Sequence, residues 1–244
     1  MSRNKIKRYF YDKGYLNAEV EVLEKVDTTY NNAVILGFKI EPGSRVKIGE
    51  IVFTGNVAVS EKVLRKAMKN TKVKGKALLK SSKLKKKEYR EDLRSIVAKY
   101  NTLGYRDARI ISDTVYPKSE ELVQIEINIE EGRKYYFGDI TFIGNTKYET
   151  ELLSSILRIN PGDIYDSQEL TERVSFDPNG NDVASIYLNN GYLFSQVVPI
   201  EKSVKNDTID IEIRIQEGRQ ATIRKVSISG NERTNDHVIY RELR

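Results

Sequence analysis

The chain contains no cysteine, one histidine and five prolines among its 244 residues. The absence of cysteine excludes a disulfide framework, a cysteine-ligated zinc site and a thiol nucleophile, and it suits an oxidising compartment such as the periplasm. Apolar runs are only a few residues long, far short of a membrane-spanning helix. The amino-terminal stretch is basic and has no apolar core, so no signal peptide is predicted there, which leaves export open.

Motifs for enzymatic chemistry are also missing from the sequence. No glycine-rich phosphate loop and no HExxH pattern occurs, and the single histidine, His237, falls in the first turn of a predicted helix. The stretch from Asp177 to Asp182 has oxygen ligands at short spacing but lacks the register of an EF-hand loop. We therefore predict a protein that is not an enzyme and has no catalytic residue, cofactor or metal.

The positive charge, +6 overall, is concentrated in eight lysines between Lys72 and Lys87. One interpretation is a solvated loop and helix start, partly balanced by Glu88, Glu91 and Asp92. The other is a surface for nucleic acid or anionic head groups. The first is favoured because no nucleic-acid-binding motif accompanies the lysines.

Three short markers recur along the chain with one period and in one order. Gly-Asn begins at Gly55, Gly144 and Gly230, spaced by 89 and 86 residues. Gly-Tyr begins at residues 14, 104 and 191, and the tripeptides EPG, EEG and QEG end at residues 43, 132 and 218. Such a fixed period indicates tandem copies of one structural unit.

Apolar spacing within the unit predicts its elements. Alternating apolar residues precede each Gly-Asn and predict a strand, and a helical pattern follows it. A second helical pattern leads into each Gly-Tyr, where glycine suits a left-handed cap. Two strands then complete the unit, and the last alternates most cleanly, at Val34, Leu36, Phe38 and Ile40; Val123, Ile125, Ile127 and Ile129; and Ile209, Ile211, Ile213 and Ile215.

The predicted fold class is therefore α+β. Each module is β-α-α-β-β, with two helices packed on one face of a three-stranded mixed sheet. The cleanest strand is expected at the centre, with one face buried, and the preceding ragged strand at an edge. The predicted domains are an incomplete module at 1–44, complete modules at 45–134 and 135–220, and the first strand and helix of another at 221–244, as in a piece of a longer protein.

The residues at the seam between modules point to a known family. EGRKYYFGDITFIGN (131–145), together with GYLFSQVVP (191–199) and IEIRIQEG (211–218), resembles POTRA modules from the periplasmic arm of outer-membrane β-barrel assembly proteins. The resemblance covers essentially the whole chain. It implies that the complete modules are the third and fourth, flanked by the end of the second and the start of the fifth. FDPNGND (176–182) and the lysine-rich insert look like the Bacteroidetes branch.

The resemblance implies a non-enzymatic role in folding and inserting outer-membrane proteins. The expected partners are unfolded outer-membrane proteins and accessory lipoproteins, the expected location is the periplasmic part of an outer-membrane protein, and the family's membrane barrel is absent from this chain. No nucleic-acid partner is expected. One alternative is the POTRA arm of a related translocation or secretion protein. An alternative of a different class is a nucleic-acid-binding module that uses Lys72–Lys87.

Edge strands suggest how such a protein could bind its partners. An extended peptide can add to an open sheet edge through main-chain hydrogen bonds, a mode nearly blind to sequence. The candidate edges are residues 105–116 and 192–200, with Pro117 and Pro199 expected to stop pairing near their ends. The predicted partner-binding residues are Arg106, Ala108, Arg109, Ile110, Ile111, Ser112, Phe194, Gln196, Val197 and Val198. These edges could equally be solvated or covered.

Aromatic residues cluster at the seams. Tyr15, Tyr105 and Tyr192 follow the cap glycines, and Tyr135, Tyr136 and Phe137 lie at the central seam. They could form a surface for unfolded strands, but packing of the module junctions is favoured, because a tyrosine ring can bury its body and keep its hydroxyl wet. The two incomplete ends further suggest head-to-tail self-association, in which two chains complete a module between them.

Overall fold

The structure is a computed structural model that describes residues 2–30, 32–73, 75, 82–222, 225–231 and 235–242. The chain divides into two compact units. The first comprises Met1–Asp139, Asn160–Glu169 and Ser203–Asp210, and the second comprises Ile140–Ile159, Leu170–Lys202 and Ile211–Arg244.

Helices and strands alternate in the order that the repeat predicts. The helices are α1 (Arg3–Asp12), α2 (Glu61–Ala67), α3 (Lys86–Asn101), α4 (Thr150–Leu157), α5 (Ser167–Thr171), α6 (Val183–Asn189) and α7 (Asp236–Glu242), with a π-helical segment at Glu172–Phe176. The strands are β1 (Glu19–Val26), β2 (Val34–Glu41), β3 (Lys47–Thr54), β4 (Arg109–Pro117), β5 (Leu122–Glu130), β6 (Tyr136–Ile143), β7 (Gln196–Lys205) and β8 (Thr208–Gln216).

Two three-stranded sheets have the same strand order. In the first, β5 lies between β3, to which it is parallel, and β4, to which it is antiparallel. In the second, β8 lies between β6 and β7. The predicted α+β class and the central position of the most regular strands are confirmed. The ragged strands β4 and β7 each lie at a sheet edge.

Alternation in β5 builds the core of the first complete module. Val123, Ile125, Ile127 and Ile129 are all buried, and the residues between them remain partly exposed. Leu64 of α2 and Ile96 and Tyr100 of α3 are fully buried in the same cluster. Burying an aliphatic side chain of this size contributes about 2 kcal/mol, so each of these four residues adds substantially to the stability of the module.

The β1–β2 pair does not bury the face that its alternation predicts. Val34, Leu36 and Ile40 are 60%, 50% and 37% exposed, so the prediction of one buried face is wrong for β2. In the complete modules this face is covered by two helices and flanked by a third strand. Here the sheet has two strands, and α1 is the helix that packs on it.

The edge strands start later than predicted. Residues following each Gly-Tyr form a turn, with the Ala108 N–H donating to Tyr105 O and the Ser195 N–H donating to Tyr192 O. Pro117 ends β4 as predicted, but Pro199 lies inside β7, which continues to Lys205. That prediction is wrong because an edge strand tolerates a proline whose missing N–H would face outward.

The second complete module contains more helix than the β-α-α-β-β prediction. Between α4 and α6 lie the short helix α5 and the π-helical segment, which buries Val174. Asp182 begins α6 by accepting the Ser185 N–H at 2.8 Å, and it also accepts the Asp177 N–H at 3.2 Å. This carboxylate therefore holds the turn before α6.

The final segment is only partly described. The strand predicted at Val226 and Ile228 is not formed in the described part of the chain, where residues 225–229 belong to no helix or strand. The Tyr240 hydroxyl of α7 donates to Val226 O at 2.8 Å. In both complete modules the first strand pairs with the module's last strand, and the described residues after 222 contain no such strand.

A glutamate in each complete module ties the Gly-Asn loop to the second helix. Glu131, only 9% exposed, accepts the Ala58 and Val59 N–H groups at 2.8 and 3.1 Å and the Tyr100 hydroxyl at 2.8 Å. Glu217 repeats this arrangement one period later. It accepts the Thr146 hydroxyl, the Lys147 N–H and the Tyr187 hydroxyl at 2.5, 2.8 and 3.3 Å.

Because of these two carboxylates, we expect the protein to lose stability in acid. Burial raises the pKa of Glu131 and Glu217, but the hydrogen bonds outweigh burial and hold each pKa below the ordinary 4.5. A carboxylate with a lowered folded-state pKa contributes stability that is fully present above the unfolded-state pKa and lost as the pH falls through the folded-state pKa. The midpoint of urea unfolding should therefore be constant near neutral pH and drop below about pH 4.5.

The matched variants are Glu131→Gln and Glu217→Gln, which cannot titrate. Each should be less stable at neutral pH and should show a shallower decline in acid than the parent chain. If the unfolding midpoint fell equally steeply with pH in the parent chain and in both variants, other carboxylates would be responsible for the loss of stability in acid.

Candidate functional site

The outer side of β4 is an open sheet edge. β4 pairs with β5 on one side, and within the described residues no strand pairs with its other side. The register between them shifts at Ile110 and Ser112, so Ile111 bulges out and its side chain is 50% exposed. A bulge increases the local twist and re-aims side chains, and it limits uncontrolled edge pairing.

A groove runs between this edge and α3. It has a volume of about 630 Å³, and its apolar lining is Leu93, Val97 and Ala98 from α3 with Ile110 from β4. Arg90, Arg94 and Asp113 add charged groups. A strand added to β4 would place alternate side chains over this groove, because successive residues of a strand point to opposite faces.

One acceptor in the groove lacks a partner. Asn101 lines the groove near the end of α3, and its Oδ1 atom is buried without a hydrogen bond. A buried polar atom left unpaired costs about 1–3 kcal/mol. A bound N–H group would remove this cost.

The edge strand β7 of the second sheet is also open on one side in the described chain. From α6 to the first residues of β7, the sequence has four large apolar side chains with high exposure: Leu188 at 45%, Leu193 at 56%, Phe194 at 75% and Val198 at 50%. All four belong to the second compact unit. Exposed apolar residues in and just before an open edge strand are consistent with an interaction surface.

The opposite edges of the two sheets are partly occupied by the chain itself. On β3, Ile48 N–H donates to Ser82 O at 2.8 Å, and Arg65 Nη2 donates to Ile51 O at 2.5 Å. On β6, Phe137 N–H donates to Asp163 O at 2.8 Å. The freer edges are therefore β4 and β7, the ones that the sequence singles out.

The predicted partner-binding residues differ in what they expose. Ala108 and Val197 are buried, at 6% and 8% exposure, so their side chains pack inward. Arg106, Ala108 and Phe194 precede the strands, and Arg109 Nη2 forms a 2.7 Å ion pair with Glu130 on β5. Ile111, Ser112, Phe194, Gln196 and Val198 are exposed, whereas Ile110 is half-buried in the groove.

The seam aromatics are largely buried within the first compact unit. Tyr135 is 7% exposed, its N–H donates to Gly104 O at 2.8 Å and its hydroxyl donates to Asp107 at 2.7 Å. Phe137 is 1% exposed, and its ring centroid lies 4.9 Å from that of Tyr165. Tyr136 is half-buried, with Lys134 Nζ 5.8 Å from its ring centroid.

The hydrogen bond from the Tyr135 N–H to Gly104 O has an equivalent at each of the other Gly-Tyr pairs. Gly14 O accepts from Val46 N–H at 3.0 Å, as Gly104 O does from Tyr135, and Gly191 O accepts from Ala221 N–H at 2.7 Å. The tyrosine after each glycine packs edge-on against the aromatic residue four positions before the glycine, with centroids 5.8–6.0 Å apart. Tyr15, Tyr105 and Tyr192 thus pack locally.

Part of the lysine run lies outside the described residues, namely Lys74, Lys76 and Lys80. Lys72 follows α2, and its ammonium donates to Met68 O and Arg65 O at the carboxyl-terminal end of that helix. Lys85, Lys86 and Lys87 lie at the start of α3. The run is therefore divided between different surroundings and does not form one continuous basic surface in the described chain.

Two kinds of feature are absent from the described part of the chain. No group of three or more histidine, aspartate or glutamate side chains could hold a metal ion among those residues. None of the helices described is both long and apolar enough to cross a bilayer.

Sheet order, helix placement and open edges define a class: tandem small α+β modules, each with one free edge strand beside a helix. The chain belongs to the POTRA family, whose model, described as a surface antigen variable number repeat, matches residues 46–132 and 135–218. The resemblance to POTRA modules is thus confirmed. The finer likeness to the Bacteroidetes branch stays a prediction.

Two curated relatives match nearly the whole chain. An outer membrane protein assembly factor of Treponema pallidum is 26% identical over all of this chain and 28% of its own length. The outer membrane protein assembly factor BamA of Neisseria meningitidis is 27% identical over 98% of this chain and 30% of its own length. The chain therefore spans less than a third of either relative.

A solved structure shows the same fold. The third to fifth POTRA modules of Haemophilus influenzae BamA superimpose with a TM-score of 0.53 and 24% identity, over 81% of this chain and 76% of that one. The fold is therefore that of consecutive POTRA modules.

Proposed function

We propose that this chain is part of the periplasmic arm of an outer-membrane protein assembly factor, where it receives unfolded β-barrel proteins by strand addition. The observation that carries the proposal is the open edge of β4 beside its apolar groove. Membership of the POTRA family and similarity to proteins named as assembly factors support it. The role is non-catalytic, since it consists of binding and handing on extended segments.

Main-chain hydrogen bonds supply most of the affinity in this mechanism. An incoming segment pairs with β4 through groups that every residue carries, so many different substrates can bind. Strands of outer-membrane barrels alternate apolar and polar residues. With such a strand on β4, its apolar face covers Leu93 and Val97 in the groove, and its polar face remains in water.

The same mode extends to β7 with a different apolar surface. Phe194, just before the strand, is 75% exposed, and Val198, among its first residues, is 50% exposed. The modules 45–134 and 135–220 are the proposed units of this binding, and accessory lipoproteins are the proposed further partners.

Backbone chemistry provides the test of strand addition. An alternating ten-residue peptide copied from a barrel strand should shift the amide resonances of β4 and of groove residues in an NMR titration. The same peptide with alternate backbone nitrogens methylated keeps its side chains but loses the N–H groups that would pair, so it should not bind. Equal binding of both peptides would overturn the strand-addition mechanism.

Side-chain truncation in the groove gives an independent prediction. Val97→Ser should weaken binding of the unmethylated peptide about fivefold, because a lost apolar contact of this size costs about 1 kcal/mol. Val57→Ser is the matched control, since Val57 is 93% exposed in the Gly-Asn loop, and it should bind like the parent chain. Equal affinity of both variants would place the peptide outside the groove.

A further inference from the structure

A basic cleft lies between α1 and α3 in the first compact unit. Its volume is about 640 Å³, and eight cationic side chains and three carboxylates line it. The whole chain carries a net charge of +6, so this one cleft concentrates most of the surplus. The cationic side chains that the argument uses are Arg8, Lys13, Arg45, Lys87, Arg90 and Arg94.

The carboxylates leave much of this charge uncompensated. Lys85 pairs with Glu88 at 2.7 Å, and Lys86 of α3 pairs with Asp12 of α1 at 3.3 Å. Within the described residues, Arg8, Lys87, Arg90 and Arg94 form no ion pair.

Two lysines at the start of α3 act against the helix dipole, and Glu88 is the one acidic residue in the first turn. This 16-residue helix begins with Lys86 and Lys87, and its N-cap, Lys85, makes no capping hydrogen bond from its side chain. The amino-terminal end of a helix carries partial positive charge and favours acidic groups, so lysines there cost stability. A bound anion would relieve the repulsion and accept from the free N–H groups of the first turn.

Arg45 provides a donor without a partner. Its Nε atom is buried and makes no hydrogen bond, and its guanidinium lies 4.9 Å from the centroid of the Tyr15 ring. The stacking holds the planar group in place, so its remaining N–H groups are preorganised for an incoming acceptor.

We propose that this cleft binds a phosphate-bearing ligand, either free in solution or as the head group of an acidic phospholipid. Guanidinium groups pair with phosphate oxygens in a bidentate manner, and ammonium groups add point charge. The volume exceeds what one phosphate fills, so the ester carrier also fits. The cleft adjoins the groove beside β4, because Arg90 and Arg94 line both. Arg8, Arg45 and Lys87 line the cleft and not the groove, so substitutions at these residues test phosphate binding without altering the strand-addition site.

Two phosphate probes distinguish the sources. Inorganic pyrophosphate is titrated into the chain and followed by NMR, and phosphatidylcholine vesicles with and without phosphatidylglycerol are tested by co-sedimentation. Binding of pyrophosphate that shifts resonances of Arg8, Arg45 and Lys87 supports a site for free phosphate. Binding confined to the phosphatidylglycerol vesicles assigns the cleft to a lipid head group.

Charge reversal gives the matched comparison. Arg8→Glu with Lys87→Glu should weaken binding of the active probe at least about tenfold, since each charged hydrogen bond contributes about 1.5 kcal/mol or more. Glu at the start of α3 suits the dipole, so a loss of binding would not reflect unfolding. Lys62→Glu with Lys69→Glu changes the net charge equally at exposed positions outside the cleft and should leave binding unchanged.

Three outcomes would overturn the proposal. The first is the absence of binding with both probes. The second is an equal loss in the two double variants, which would indicate attraction by net charge alone. The third is that duplex DNA binds to the chain while neither pyrophosphate nor the vesicles bind, which would assign the lysines to nucleic acid.

Discussion

Gly55→Ala should destabilise the first complete module by about 3 kcal/mol, through left-handed backbone strain and steric collision together. Gly55 has a φ of +79°, and a Cβ atom placed there would lie 2.0 Å from Ile129 O in the central strand β5. No side-chain movement can relieve this contact, because the opposing atom belongs to the backbone of the sheet. Urea unfolding followed by circular dichroism provides the measurement.

Gly162→Ala separates the two causes of that loss. Gly162 has a φ of +91°, but a Cβ there would meet nothing within 4 Å, so its variant suffers backbone strain alone. It should lose about 1 kcal/mol. Gly144→Ala in the other module, with a Cβ 2.1 Å from Ile215 O, should behave like Gly55→Ala. Similar losses at Gly55 and Gly162 would show that the close approach to the sheet contributes nothing.

These glycines explain why the repeat was so informative. Gly-Asn, Gly-Tyr and the EEG-type tripeptide all mark positions where the backbone has positive φ or approaches another strand or loop closely. Such positions tolerate few other residues, so their spacing is visible in a single sequence. With the alternation of β5 and β8, this was enough to predict the module, its central strand and its edge strand.

Features that depend on distant contacts could not be predicted in this way. The alternation of β2 looks like that of β5, but burial depends on what covers the face, and β2 lacks the covering helices. Pro199 is typical of a strand end, yet it lies inside β7 because the outer side of that strand is open. The π-helical segment left no mark in the apolar spacing.

The candidate sites were predicted unevenly. Both open edges followed from the ragged alternation of their strands, but the groove required knowledge that α3 lies beside β4. The basic cleft joins Arg8, Arg45 and Arg90, which are far apart in sequence. The lysine run predicts only the part of the cleft that the start of α3 contributes.

The pairing of Glu131 with Tyr100 is reflected in the sequence of the repeat. One period before Glu131 lies Pro42, and at the position matching Tyr100 lies Phe10, so both polar partners are replaced together. Phe10 keeps the edge-on contact with Tyr15 that Tyr100 makes with Tyr105. The paired replacement indicates that the tyrosine hydroxyl is needed only where the carboxylate is present, since a buried hydroxyl without a partner costs free energy.

Glu131→Gln should therefore lower the free energy of unfolding by about 2–3 kcal/mol, although the side chain keeps its shape. The carboxylate accepts three hydrogen bonds with two oxygens, whereas an amide has one oxygen and an NH₂ group. In either orientation of the glutamine side chain, its NH₂ group faces a backbone N–H group that the carboxylate had accepted. That buried N–H donor is then left unpaired. Chemical denaturation at neutral pH measures the loss.

Tyr100→Phe and the double variant complete the comparison. Tyr100→Phe alone should cost about 1 kcal/mol, because Glu131 keeps its two backbone donors. If the two groups act as a unit, the double variant should lose less than the sum of the single losses. Glu217→Gln should cost about half as much as Glu131→Gln, since Glu217 is more exposed and its tyrosine partner lies at 3.3 Å. Strict additivity at Glu131 and Tyr100 would show that the carboxylate holds the loop independently of the helix.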